Sequence, residues 1–148
     1  MKSFIRLGIL LVLVFSSFST LNASGQAFFF QNSLVGEPAP DFSLNTLKAK
    51  NVSMSQLRSG QPAIIFFWAT WCPHCRTQLE ELNAQKADIE AKGVKILLVD
   101  LAEGAGEVGS YLAQNKILLD SFLDIDSVVA EKYSILGVPT FIFVDKGG

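Results

Sequence analysis

The sequence predicts an α/β domain in which a central mixed β-sheet is flanked by helices and preceded by a β-hairpin. Three features predict it. Ala63 to Trp68 (AIIFFW) is a continuous run of β-branched and aromatic residues, the pattern of a strand covered on both faces. From Pro73 to Lys92 the pattern changes to helical spacing, with Cys75, Leu79, Leu82 and Ile89 on one face, and Gly93 supplies a stop. Val94 to Val99 is again apolar and β-branched, so strand, helix and strand form a βαβ unit with parallel pairing.

The other elements follow in order. Val35 to Asp41 holds too much proline and glycine for a helix and leads into Phe42-Ser43-Leu44, which alternates like a strand. Asn45 to Asn51 reads as a turn and Val52 to Met54 as the returning strand of an entry hairpin. Ser53 or Ser55 caps a short helical turn through Leu57, which Gly60-Gln61-Pro62 ends. Glu103 to Gly109, with three glycines, reads as a loop; Val108 to Asn115 reads as a short helix presenting Tyr111 and Leu112. Leu118 to Leu123 is a strand candidate, Ser127 to Tyr133 a short helix, and Thr140 to Val144 a strong strand. Phe141 to Val144 sends large apolar side chains to both faces, which calls for cover on both. A further strand and helix are therefore expected beyond Gly148.

Residues 1–25 have the order of an export signal. Lys2 and Arg6 precede an apolar stretch, Leu7 to Phe15, which fades into small and polar residues as far as Gly25. The stretch is shorter than the twenty or so residues of a spanning helix. Cleavage is expected near Ala23 to Ala27; an uncleaved membrane anchor is the alternative, and both place the body, residues 26–148, in the periplasm or cell envelope. Of the 148 residues, 49% are hydrophobic and 18% charged, enough for one packed core and too few for two domains. Twelve basic against fourteen acidic residues, without runs of either sign, give no footprint for nucleic acid.

Cys72 and Cys75 are the only cysteines, three positions apart in a chain bound for an oxidising compartment. A structural bridge closes a longer loop, because its entropic gain grows with loop length; this spacing points to redox chemistry. Trp71-Cys72-Pro73-His74-Cys75 lies where the central strand gives way to the helix. Unpaired N–H groups and the positive end of the helix dipole there favour a thiolate at Cys72, the expected nucleophile. Cys75, one turn on and on the apolar face, is placed to resolve the mixed disulfide. Pro73 suits the first helical position, and His74, the sole histidine, is a candidate for tuning the thiolate. Two thiolates and one histidine leave a tetrahedral zinc site incomplete, so no metal is expected, and the exchange needs no organic cofactor.

The runs PAPDFSL (38–44), SQLR (55–58), FFWATWCPHCR (66–76) and YSILGVPTFIFVD (133–145) resemble the TlpA/ResA-type branch of the thioredoxin superfamily over residues 34–148. The resemblance implies a thioredoxin-like fold and a membrane-anchored or periplasmic disulfide reductase, several of which serve cytochrome c maturation. Its implied partners are protein disulfides or dithiols and an upstream membrane or periplasmic thiol donor. It further implies that Pro139 is a cis proline beside the cysteines and that the Val138–Pro139 segment binds extended substrate through its backbone. Trp68 and Trp71 become wall residues of the site, although core packing alone also explains Trp68.

Three departures matter. Gln78 stands where many members carry glutamate, Glu80 where a helix-kinking proline is usual, and Phe66 where thioredoxins place a buried aspartate. The base that activates Cys75 is therefore unidentified. Glu80 and Glu81 are nearby but read as a solvated face. The Pro-His dipeptide resembles oxidising DsbA-type enzymes, which keeps that direction as an alternative. A peroxiredoxin wants threonine where Ala69 stands, and a Sco-like copper carrier wants wider cysteine spacing with a distant histidine.

Overall fold

The computed structural model describes residues 34–148; the export signal or anchor expected over residues 1–25 lies outside the described residues. The elements are β1 (Ser43–Leu44), β2 (Val52–Ser53), α1 (Met54–Arg58), β3 (Ala63–Trp68), α2 (Pro73–Ala91), β4 (Lys95–Leu101), α3 (Ala105–Gln114), β5 (Ser121–Asp124), α4 (Val128–Lys132) and β6 (Thr140–Val144). The last four strands form one mixed sheet in the order β5-β4-β3-β6. β3 runs parallel to β4 and antiparallel to β6, and β4 runs parallel to β5.

The unbroken apolar run of β3 has its reason in this arrangement: with period two, it feeds two core layers at once. Phe66 and Trp68, with Leu98 and Leu123 from the neighbouring strands, face Cys75, Leu79 and Leu82 of α2 and Val108 and Leu112 of α3. Ile65, Phe67, Leu97, Val99 and Phe122 face the other way, toward Phe42, Met54, Val129 and Tyr133. Trp68 is fully buried and its indole N–H donates to Ser121 Oγ at 3.2 Å, so it belongs to the core and not to a wall of the site.

The hairpin β1–β2 covers the β5 edge of the sheet. The Leu123 N–H donates to the Asn45 carbonyl at 2.9 Å, and the Thr46 hydroxyl to Asp120 at 2.9 Å. Covering an edge strand removes a template for unwanted pairing. Of the two serines predicted as caps for α1, Ser53 takes the role: its Oγ accepts the Gln56 N–H while Gln56 Oε1 accepts the Ser53 N–H, a reciprocal capping box.

Two boundaries differ from expectation. Helix α3 starts at Ala105, inside the glycine-rich stretch read as a loop. Burial of Val108 and Leu112 outweighs the glycine cost, and Gly109 packs against Leu47. Strand β5 begins only at Ser121, because the segment before it bonds to a side chain: Asn83 Oδ1 accepts the Leu118 N–H at 2.7 Å and Asn83 Nδ2 donates to the Lys116 carbonyl.

Asp124 closes this part of the fold. Its carboxylate, 1% exposed, accepts the Val129 and Ala130 N–H groups at 3.1 and 2.8 Å and so anchors the start of α4. Asp124→Ala strands two buried donors and is expected to cost about 2 kcal/mol of unfolding free energy in urea titration. An unchanged midpoint and slope would remove this anchor from the account.

Candidate active site

The site forms where β3 ends and α2 begins. Cys72 is the N-cap of α2, Pro73 occupies its first turn, and Cys72 and Cys75 are joined in a disulfide with Cα atoms 5.2 Å apart. The Cys75 N–H donates to Cys72 Sγ at 3.2 Å. That bond places an orphan helix-end donor directly on sulfur, so a reduced Cys72 has both the dipole and a hydrogen bond favouring the thiolate. Cys72 is 5% exposed and Cys75 is fully buried under the helix, so an attacking group reaches the first sulfur before the second.

The Val138–Pro139 peptide is cis, and the Val138 carbonyl oxygen lies 3.7 Å from Cys72 Sγ. Thus Cys72, Cys75, Val138 and Pro139, far apart in sequence, meet at one place. Trp71 stands beside them at 65% exposure, a large apolar surface next to the sulfur. Pro73 and His74 are exposed on the first turn of α2. Among the described residues, no group of three or more histidine, cysteine or acidic side chains is arranged to hold a metal ion.

The loop that carries Trp71 is held by a residue the sequence analysis did not single out. Glu103 is 4% exposed; one of its oxygens accepts the Thr70 N–H at 2.6 Å and the other accepts the Thr70 hydroxyl. Two charge-assisted bonds fix the backbone two residues before Cys72.

Next to Glu103 lies a second unanticipated acid. Asp100, at the end of β4, is fully buried, and neither carboxylate oxygen meets hydrogen-bond geometry with any partner. Burial pushes its carboxyl up to about 8, helped by the adjacent Glu103 side chain and by the charge of Glu107; the Glu103 N–H pulls weakly the other way. Glu107 on α3 is itself raised, chiefly by the charge of Glu103. Glu80 and Glu81, the acids nearest the cysteines in sequence, are on the exposed face of α2.

Comparison with known proteins places this geometry. Residues 35–148 match the model of the AhpC/TSA family. The chain belongs to that family. It is similar to the thiol-disulfide oxidoreductase ResA of Bacillus subtilis (strain 168), 29% identical over 99% of this chain and 81% of the relative. The thiol:disulfide interchange protein DsbE of Yersinia pestis is 30% identical over 95% of this chain and 74% of its own length. Among solved structures, the thioredoxin domain of a thiol-disulfide oxidoreductase from Bacteroides vulgatus superposes with a TM-score of 0.68 at 28% identity, covering 76% of this chain and 82% of that one. With a bonded cysteine pair at a helix N-terminus and relatives of this kind, this AhpC/TSA-family chain is a thiol-disulfide oxidoreductase with a thioredoxin-like fold.

Proposed function

We propose that the protein is an exported protein-disulfide reductase, in which Cys72 is the nucleophile and Cys75 the resolving thiol. The observation that carries the assignment of roles is the Cys75 N–H on Cys72 Sγ: the first sulfur has a donor to stabilise its anion, and the second is buried behind it. In the reductive half-reaction the Cys72 thiolate attacks a substrate disulfide and releases one substrate thiolate. Cys75 then attacks Cys72 Sγ, forms the internal disulfide and releases the second substrate thiolate, so two electrons pass to the substrate. A thiol donor from the cell envelope restores the dithiol.

Trp71 supplies an apolar surface for the substrate chain, and the backbone at Val138 and Pro139 supplies hydrogen-bonding groups for an extended segment. His74 and Pro73, exposed at the helix start, tune the thiolate. Export follows from the order of charge and hydropathy over residues 1–25. The reducing direction and a setting in cytochrome c maturation rest on the resemblance to the TlpA/ResA-type branch and on the ResA and DsbE relatives.

Equilibration with a dithiol buffer of known potential tests the direction. A value toward the thioredoxin end, about −270 mV, is expected; one toward the DsbA end, about −120 mV, would make the protein an oxidant. Rapid peroxide consumption without insulin reduction would favour the peroxidase chemistry of the wider family. Ala69, standing where that chemistry wants a threonine, argues against it.

A further inference from the structure

The redox pair has no titratable side chain from its own helix beneath it, because Gln78 and Leu79 follow where an acid would be useful and Glu80 and Glu81 point outward. The sheet supplies one instead. In the parallel pairing, Trp68 on β3 sits beside Asp100 on β4, and Asp100 sits beside Leu123 on β5. Paired residues of parallel strands share a face, so these three side chains form one row. Trp68 and Leu123 belong to the layer that packs against Cys75, and so does Leu98, two residues before Asp100. Asp100 therefore projects into the layer that holds Cys75, at the C-terminal ends of the strands where the disulfide lies.

A fully buried carboxyl set against a second acid, Glu103, with neither oxygen in good hydrogen-bond geometry, weakens a core unless it does something there. We propose that Asp100 is the proton carrier for Cys75. This rests on the reading of Cys75 as the resolving thiol. In the disulfide form Asp100 holds a proton. When a donor thiolate breaks the Cys72–Cys75 bond, the Cys75 sulfur leaves with the electron pair and takes that proton, and Asp100 becomes a carboxylate. When the dithiol later meets a substrate disulfide, the carboxylate takes the proton back as Cys75 attacks Cys72 Sγ. Over the cycle the proton returns to Asp100, while two electrons pass from the donor thiols to the substrate disulfide.

The groups around Asp100 fit a carboxyl that holds its proton while the disulfide is closed and can hand it on near neutral pH. Glu103 and Glu107 add negative charge from the loop and from α3, which keeps the proton on Asp100 near neutral pH while the disulfide is closed. On the α2 side, Arg76 and Glu80 act on Tyr111, whose ring packs on Trp68 at 5.7 Å.

The two steps separate when the reduced full chain is mixed with 5,5′-dithiobis(2-nitrobenzoate): Cys72 attack releases a first coloured thiolate and Cys75 attack a second. Asp100→Asn is expected to leave the first phase unchanged and slow the second by about a hundredfold near pH 7, with recovery in alkali. Asp100→Glu is expected to restore part of the rate. Failure to release two thiolates from the wild-type protein would refute the dithiol reading itself. Two clean phases in folded Asp100→Asn, with a wild-type second phase and pH profile, would overturn the role of Asp100 alone. A measurement on the wild type covers a variant that does not fold: the infrared carbonyl band of a protonated carboxyl should be present in the disulfide form near pH 7, and the pH at which it is lost should move on reduction, when Cys75 becomes a titrating neighbour. A band indifferent to redox state overturns the proposal.

Discussion

Cys72→Ser is expected to reduce catalysed reduction of insulin disulfides by at least about a thousandfold, to the level of the uncatalysed exchange, because no other thiol in the chain carries a helix-end donor. Cys75→Ser should behave differently. Its Cys72 keeps access to substrate and loses only the partner that releases the product, so the variant accumulates a stable mixed disulfide, visible as a mass adduct on non-reducing analysis. In that variant Cys72 titrates alone, and its alkylation rate should reach half its maximum well below the ordinary thiol value of about 8.5. The reverse assignment, with Cys72→Ser trapping substrate and Cys75→Ser inert, would contradict the burial order of the two sulfurs. An ordinary titration at Cys72 would instead remove the helix end as the source of its reactivity.

Much of this arrangement was readable in the sequence because the relevant forces are local. Ala63–Trp68 and Thr140–Val144 are strands at the predicted bounds, since a run of β-branched and aromatic residues with turn residues at both ends leaves few other choices. Helix α2 and its N-terminal cysteine follow from Pro73 at the start, Gly93 past the end and the apolar spacing between them. The misplacement of β5 has a local cause too. Ile117 and Leu119 are buried while Leu118 is 74% exposed, which is the alternation of a strand, yet the Leu118 N–H is taken by Asn83 from α2 and not by a neighbouring strand. Periodicity reports which side chains are buried, not where the backbone hydrogen bonds go.

The acids were illegible for a different reason. Asp100 closes an apolar strand and Glu103 begins a glycine-rich loop, positions where a solvated acid is common. Only the register Trp68↔Asp100 and the contact of Glu103 with Thr70 bring them to the site, and both depend on parallel pairing across a long crossover. A sequence signal did exist in the missing partner: with Gln78 and Phe66 at the family's acid positions, the base for Cys75 was left open. Nothing in the one-dimensional pattern said from which strand.

The buried Asp100 makes the second large prediction, for stability in the disulfide form, where neither thiol titrates. In the unfolded chain an aspartate loses its proton near 3.9. In the folded protein Asp100 keeps it to about 8. Between those values the native state holds a proton that the unfolded state has released, so unfolding free energy falls as pH rises across that window and levels off above it. A displacement of this size corresponds to a loss on the order of 5 kcal/mol, a large share of what a small domain has. Asp100→Asn keeps the shape but has nothing to ionise, so its stability should drift far less. Urea titrations of the two oxidised proteins near pH 4 and pH 8 should therefore diverge, with the variant the more stable of the pair at the higher pH. Glu107 titrates in both proteins and largely cancels from the comparison. Parallel stability curves would mean that Asp100 is already ionised in the fold, and that its burial is compensated by a contact with water or by movement of Glu103.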